Sequence, residues 1–351
     1  MNIKSLFYVL PLALLTGIST ISCSSNDDDQ SDAAQNGPTV YAAGREDYKA
    51  KYWKNGTAVL LGTGSGSSDA TGMVVVGDDV YVAGYEVKGN GKYVAKFWKN
   101  GVATDLTDGS QDAFANGIAV VGNDVYIAGQ EMVPGGTTYI AKYWKNGTPV
   151  ALTDNTQSAV AEAIAVVGND VYVIGERRMT SWLTPVTCYW KNGQRTDISD
   201  QNTTADHQDI AVSGNDVYMM WSVIYNNSGQ SQTRYSKNLS APTLIQDGSS
   251  SVSGNAITVK NNEVYISGSG MSSNGNSSVA KYWKNGSPVV VGSGVSYALG
   301  IDVFGTDVYA AGYQDNPGGG SAALYWVNGK PQTLTTGTGN ALIRKIIVKE
   351  K

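Results

Sequence analysis

Residues 117–153 read GIAVVGNDVYIAGQEMVPGGTTYIAKYWKNGTPVALT, and this stretch decides the fold. Gly117–Val121 is a continuous apolar run, the pattern of a strand buried on both faces. Gly122-Asn123-Asp124 is a tight turn, and Val125–Gly129 is a second strand. A polar loop follows, then a third strand at Tyr139–Lys145. Asn146-Gly147 is a hairpin signal, because a type I′ turn needs positive φ at both central residues. Pro149–Thr153 completes a unit of four strands. No segment of the chain has a clear 3.6-residue apolar period, so the expectation is nearly all β.

The unit recurs. Its Val-Tyr pair returns at Tyr41, Tyr81, Tyr126, Tyr172, Tyr218, Tyr265 and Tyr309, at spacings of 40, 45, 46, 46, 47 and 44. Its Trp-Lys-Asn-Gly hairpin starts at Trp53, Trp98, Trp144, Trp190 and Trp283, with a variant at Trp326. In one repeat it has decayed to Ser236-Lys237-Asn238-Leu239. Four strands on a period near 45 make one propeller blade. The ends predict how the ring closes. The first repeat lacks its opening strand, and Ala341–Val348 reads as an opening strand with nothing after it. The expected fold is therefore an all-β, seven-bladed propeller in which residues 341–348 pair beside 39–44. Such closure leaves no sheet edge exposed between the chain ends.

The succession Ile-Ala-Val, Asn-Asp-Val-Tyr, Ala-Gly over residues 39–349 resembles the bacterial seven-bladed β-propeller repeat labelled SBBP, found in lipoproteins of Bacteroidota. The resemblance implies a fold and no chemistry, because propellers host many functions.

Composition narrows the function classes. The chain has 351 residues, 25 Lys and Arg against 30 Asp and Glu, and a net charge of −5. A protein that neutralises many phosphates needs the opposite balance, so nucleic acid is not expected as a partner. The two cysteines, Cys23 and Cys188, offer no disulfide framework. Cys188 stands where other repeats carry Lys51, Lys96, Lys142 and Lys281, and reads as a tolerated replacement.

Lys4, the apolar run Leu6–Ile18 and Ser22-Cys23 resemble a bacterial lipoprotein signal, although Thr20 stands where most such signals carry Leu. The run is too short for a comfortable membrane span. Residues 1–22 are thus expected to be a signal peptide, with Cys23 as the lipidated residue that tethers the protein to a membrane. Residues 23–37, which include Asp27-Asp28-Asp29, are expected to be a flexible acidic tether, and residues 38–351 the propeller. The acidic run after the lipidated cysteine resembles a surface-export signal, so the expected location is the outer membrane, facing outward.

The aromatic residues divide into those that repeat and those that do not. Tyrosines and tryptophans that recur in every repeat pack one blade on the next. Trp182, Trp221 and Tyr225 belong to no repeat column and fall in the fourth and fifth repeats. An exposed aromatic there could stack on a sugar or anchor a protein. The loops between second and third strands, with the crossings between repeats, share one end of the ring and vary in length. Variable loops on a fixed scaffold are where binding usually sits. That end carries Glu46, Glu86, Glu131, Glu176, Asp112, Asp154, His207, Asp209 and Asp315. Just before the opening strands lie Thr71, Asn116, Glu162, Gln208, Asn255, Leu299 and Arg344, a ring expected at the channel mouth. The best irregular cluster is Asp206-His207-Gln208-Asp209, with the chain's single His.

Hydrolytic propellers place two or three acids around the channel, and glycoside cleavage needs a carboxylate pair. This ring holds one acid and one base. No Gly-x-Ser-x-Gly, His-Glu-x-x-His or phosphate-loop motif is present, so no cofactor is expected; loop Asp and Asn groups leave calcium open, without a recognised calcium spacing. The expectation is a non-catalytic surface lipoprotein that binds a glycan or a protein. The alternative is a carbohydrate-active hydrolase or lyase using acids on the variable end.

Overall fold

A computed structural model describes residues 37–178, 185–199, 203–272, 275 and 277–351. Pro38–Lys351 is one compact unit, built as seven four-stranded antiparallel sheets. Blade 2 shows the pattern. Its innermost strand is Ser68–Val76, followed outward by Asp79–Val87, Tyr93–Lys99 and Val102–Asp105. Blade 1 is made from both ends of the chain. Ala341–Lys349 pairs antiparallel with Thr39–Glu46, from Thr39 opposite Lys349 to Glu46 opposite Ala341. This is the closure the missing opening strand predicts.

Each recurring motif has a physical reason. The asparagine of the hairpin sits at positive φ in all seven blades, for example 51° at Asn146. Its Oδ1 accepts the backbone N–H of the residue before the repeated tyrosine: Val40, Val80, Val125, Val171, Val217, Val264 and Val308. In blade 3 the Asn146 amide also donates to Asp124. Lys145 pairs with the same Asp124 and lies over the Tyr126 ring. The same lysine–acid pair recurs in blades 2, 4, 5 and 6. Asn-Asp-Val-Tyr and Trp-Lys-Asn-Gly are thus two halves of one clamp at the turn end of the ring.

The hairpin tryptophans are the core. Trp53, Trp98, Trp144, Trp190, Trp283 and Trp326 are at most 2% exposed. Each buries roughly 200 Å², an upper estimate of about 5 kcal/mol of hydrophobic stabilisation. On the neighbouring strand the close inner-strand backbone, with the indole beside it, leaves room only for a glycine. A Cβ on Gly84 would stand 2.0 Å from the Asp69 carbonyl oxygen and 3.1 Å from the Trp98 ring. Gly129 meets Phe114 and Trp144 in the same way.

The innermost strands begin earlier than the apolar runs suggest. In blade 3 the strand is Ala113–Val121, with a register break between Ala115 and Gly117. Equivalent breaks bulge out Thr71, Glu162, Asn255, Leu299 and Arg344. In six blades the ring expected just before these strands is therefore inside them, one bulged residue per blade.

Candidate functional site at the channel mouth

The bulged residues surround a cavity of about 450 Å³ on the ring axis. Three of them serve the scaffold. Thr71 Oγ1 donates to the Ala115 carbonyl, Asn116 Nδ2 to that of Ala161, and Asn255 Nδ2 to that of Ala298. Each bond ties a blade to its neighbour. Glu162, Leu299, Arg344 and the blade 5 residues are left to give the cavity its chemistry.

Blade 5 departs from the pattern. Its innermost strand, Thr203–Ser213, is longer, and its register breaks between Ala205 and Gln208, one pair earlier than in other blades. The bulge therefore holds Asp206 and His207 rather than Gln208. Trp221 accounts for the shift. It stands opposite Gln208, at the position where blade 2 has Gly84 opposite Ala70. A side chain there is impossible against a regular inner strand, as the Gly84 geometry shows. In blades 2 and 3 the hairpin indole lies beside the equivalent glycine, and in this blade the hairpin position is Ser236, which removes that bulk. A buried indole thus stands on the second strand of this blade instead of the third, opposite the altered inner strand.

Trp221 is 3% exposed, which corrects the expectation of an exposed anchor: it packs the blade, and its Nε1 has no partner among the described residues. Tyr225 ends its strand half-buried, its hydroxyl accepting from Arg234 Nη2 at 2.8 Å and lying 3.2 Å from Gln232 Oε1. Trp182 and Cys23 lie outside the described residues. Neither Trp221 nor Tyr225 is among the residues that line the cavity.

His207, Asp209, Glu162 and Arg344 do line it. His207 Nδ1 is 3.0 Å from Asp206 Oδ2, which also accepts from Ser253. Burial opposes charge on His207, but the Asp206 hydrogen bond and the nearby acids outweigh it and raise the imidazole pKa. Asp206 is held below the usual carboxylate range; burial works against this, and the His207 bond prevails. Asp209 Oδ2 accepts the Ile257 N–H at 3.0 Å and lies 3.3 Å from Lys345 Nζ. Lys345 belongs to blade 1, so this ion pair spans the channel between non-adjacent blades. Arg344 donates from Nε and Nη2 to Asp69 Oδ2, and Arg45 reaches the same oxygen. Asp69 is 1% exposed.

Glu162 differs from these. No hydrogen bond or ion pair reaches it among the described residues, and its side chain is half-buried. Burial, with the Glu176 charge adding and His207 and Arg344 opposing, pushes its carboxyl up to about 7.

Five acids elsewhere on the variable end have a basic partner; Asp112 pairs with Lys92. Glu46, Glu86 and Glu131 pair with Lys51, Lys96 and Lys142. Glu176 lies 3.4 Å from Arg178. Cys188 fits the same scheme. It is buried, its thiol pKa is raised by that burial, and it stands opposite Asp197 as Lys96 stands opposite Asp105. The missing ammonium is replaced from the next strand, where Arg177 binds Asp197. Among the described residues no group of three or more His, Cys, Asp or Glu could hold a metal ion.

Aromatic rings gather on other blades than expected. Tyr85, Tyr93, Phe114 and Tyr139 form a half-buried row across blades 2 and 3, with neighbouring centroids 4.8–6.2 Å apart. Tyr297 and Tyr313 stack at 4.9 Å beside a second cavity of about 340 Å³ that also reaches His207. Subtraction of the repeat columns, applied to tyrosine as well as tryptophan, leaves these residues over; that signal was present in the sequence.

The sequence matches no protein-family profile and no curated protein. Among solved structures it is similar to the β-propeller domain of the trilobed protease from Pyrococcus furiosus, with 11% identity, a TM-score of 0.49, and coverage of 85% of this chain and 94% of that one. A puromycin-hydrolyzing peptidase of Mycobacterium tuberculosis shows 11% identity and a TM-score of 0.48, over 76% of this chain and 53% of that one. The chain spans about half the length of that peptidase. TolB from Acinetobacter baumannii shows 8% identity and a TM-score of 0.46, over 77% of this chain and 67% of that one. At these identities no chemistry carries over.

Proposed function

We propose that the chain is a lipid-anchored binding protein, displayed on the outer membrane and related to the SBBP repeat lipoproteins of Bacteroidota, which takes a glycan or protein ligand at the variable end of its ring. The observation that supports it best is the contrast in the cavity. Asp206 and Asp209 are neutralised by His207 and Lys345, whereas Glu162 faces the cavity with no described partner and Arg344 is only partly engaged. Exposed polar groups that converge on one concavity, flanked by rows of aromatic rings, suit a polar ligand. Screening the full chain on a glycan array and against surface proteins tests this. Binding lost on Glu162→Gln or Tyr85→Ala with the fold intact is the expected result; a ligand whose binding neither change affects would place the site elsewhere. Cys23→Ser is expected to release the protein from membranes, and retention after a high-salt wash would contradict the anchor.

One observation favours glycan cleavage as a second reading: a carboxyl held near neutrality is suited to act as a general acid. Release of reducing ends from a bound glycan, abolished by Glu162→Gln, would establish it.

A further inference from the structure

Two pairs of the charged groups that line the cavity hold each other, Asp206 with His207 and Asp209 with Lys345. Asp206 also accepts from Ser253 and Asp209 from the Ile257 N–H, while Arg344 is held, with Arg45, by Asp69, which is buried outside the lining. Two groups remain incompletely used. Glu162 has no described partner, and Arg344 binds through Nε and Nη2 while Nη1 carries no described bond. The two shift each other's titration, so they share one electrostatic neighbourhood. They form no ion pair within 4.0 Å, and both line the same cavity of about 450 Å³. A carboxylate and a guanidinium kept apart across a cavity form a charge-separated receptor. A simple cation would satisfy Glu162 and meet repulsion from Arg344. A simple anion would satisfy Arg344 and meet Glu162 and Asp206.

We propose that the cavity takes an α-amino carboxylate, with the ligand's ammonium against Glu162 and its carboxylate against the Nη1 edge of Arg344. This rests on the binding role proposed above and names the ligand class of that site. The ammonium needs Glu162 ionised. The groups that face Glu162 are Glu176 with its partner Arg178, His207 with Asp206, and Arg344. As pH rises, Glu162 gains its charge and His207 loses its own, and both changes favour an ammonium. Affinity is therefore expected to rise by about tenfold between about pH 6 and pH 8, with a proton released on binding near pH 7.

Titration calorimetry on the full chain tests this with the free amino acids, ethylamine, acetate and a neutral disaccharide as probes. At least one free amino acid is expected to bind, with ethylamine and acetate silent. Glu162→Gln is expected to weaken binding by about tenfold or more, and Arg344→Lys by less. Should no free amino acid bind, or should Glu162→Gln bind as the parent does, the proposal is overturned. A neutral disaccharide that binds with the same dependence on Glu162 would also overturn it, while keeping the cavity as the binding site. Glycan-array binding with a silent amino-acid titration would leave the broader role standing and remove only the zwitterion.

Discussion

At the turn end of the ring, seven asparagines make the same bond in seven blades. At the other end, the bulges present Thr71, Asn116, Glu162, Asp206 with His207, Asn255, Leu299 and Arg344. The first set is repeated because each blade must solve the same local problem: two turns have to be locked to one another and to the strand beside them. The second set varies because the cavity is shared, so each blade need supply only one side chain to it. Repetition marks what holds the ring, and deviation marks where chemistry can sit. Blade 5 shows the limit of that rule. Trp221 deviates from every repeat and is still packing, a core residue moved to a new strand; its chemical consequence is the displaced bulge that brings Asp206 and His207 to the channel.

The largest expected effect breaks the repeated part. Deleting residues 341–351 removes the innermost strand of blade 1 and buried Ile343 and Ile346. The truncated chain is expected to lose cooperative unfolding by circular dichroism and to aggregate through its unpaired strand edge. A truncated chain that melts like the parent would show that closure contributes little.

Next comes the relocated tryptophan. Trp221→Ala is expected to cost about 3–5 kcal/mol in chemical denaturation, the usual cost of emptying a buried aromatic site. Moving the indole back, with Trp221→Gly and Ser236→Trp together, is expected to recover a large part of the loss that Trp221→Gly causes alone. Additive effects of the two changes would mean that the indoles do not share one space.

A smaller effect lies in the one hairpin that lost its glycine. Leu239 sits at φ 62° where Gly147 sits at 81° in blade 3. Leu239→Gly is expected to stabilise the protein by about 1 kcal/mol, because a left-handed conformation costs a branched residue more than glycine. An unchanged midpoint would show that the strain is absorbed elsewhere in the fifth blade.

How much of this could be read beforehand follows from the same contrast. Strand order, blade number and closure come from columns repeated seven times, each with a local cause visible in sequence: an Asn-Gly turn, an apolar run, a spare strand. The channel ring was legible as residue types, but its placement was not, because a bulge depends on how two strands pair. Trp221 was misread because its burial depends on the absence of bulk at Ser236, a contact between strands that no spacing displays. The row at Tyr85, Tyr93, Phe114 and Tyr139 was missed although its residues stand outside the repeat columns. Their proximity arises only when blades 2 and 3 lie side by side.

The central claim is that the variable end keeps an uncompensated acid at the cavity at a cost to stability, as binding sites commonly do. The folded protein holds the Glu162 proton more tightly than the unfolded chain does, its carboxyl lying near 7 rather than in the ordinary range of about 4.3. Stability is therefore lost as pH rises from the unfolded value through the folded one. The most direct measurement is chemical denaturation of the parent and Glu162→Gln between about pH 4 and pH 8. The two should coincide at the acid end. The variant should become the more stable by about 2 kcal/mol at pH 8, a figure reduced for solvent in the channel. Curves that stay parallel across the range, or a variant less stable at pH 8, would contradict the account.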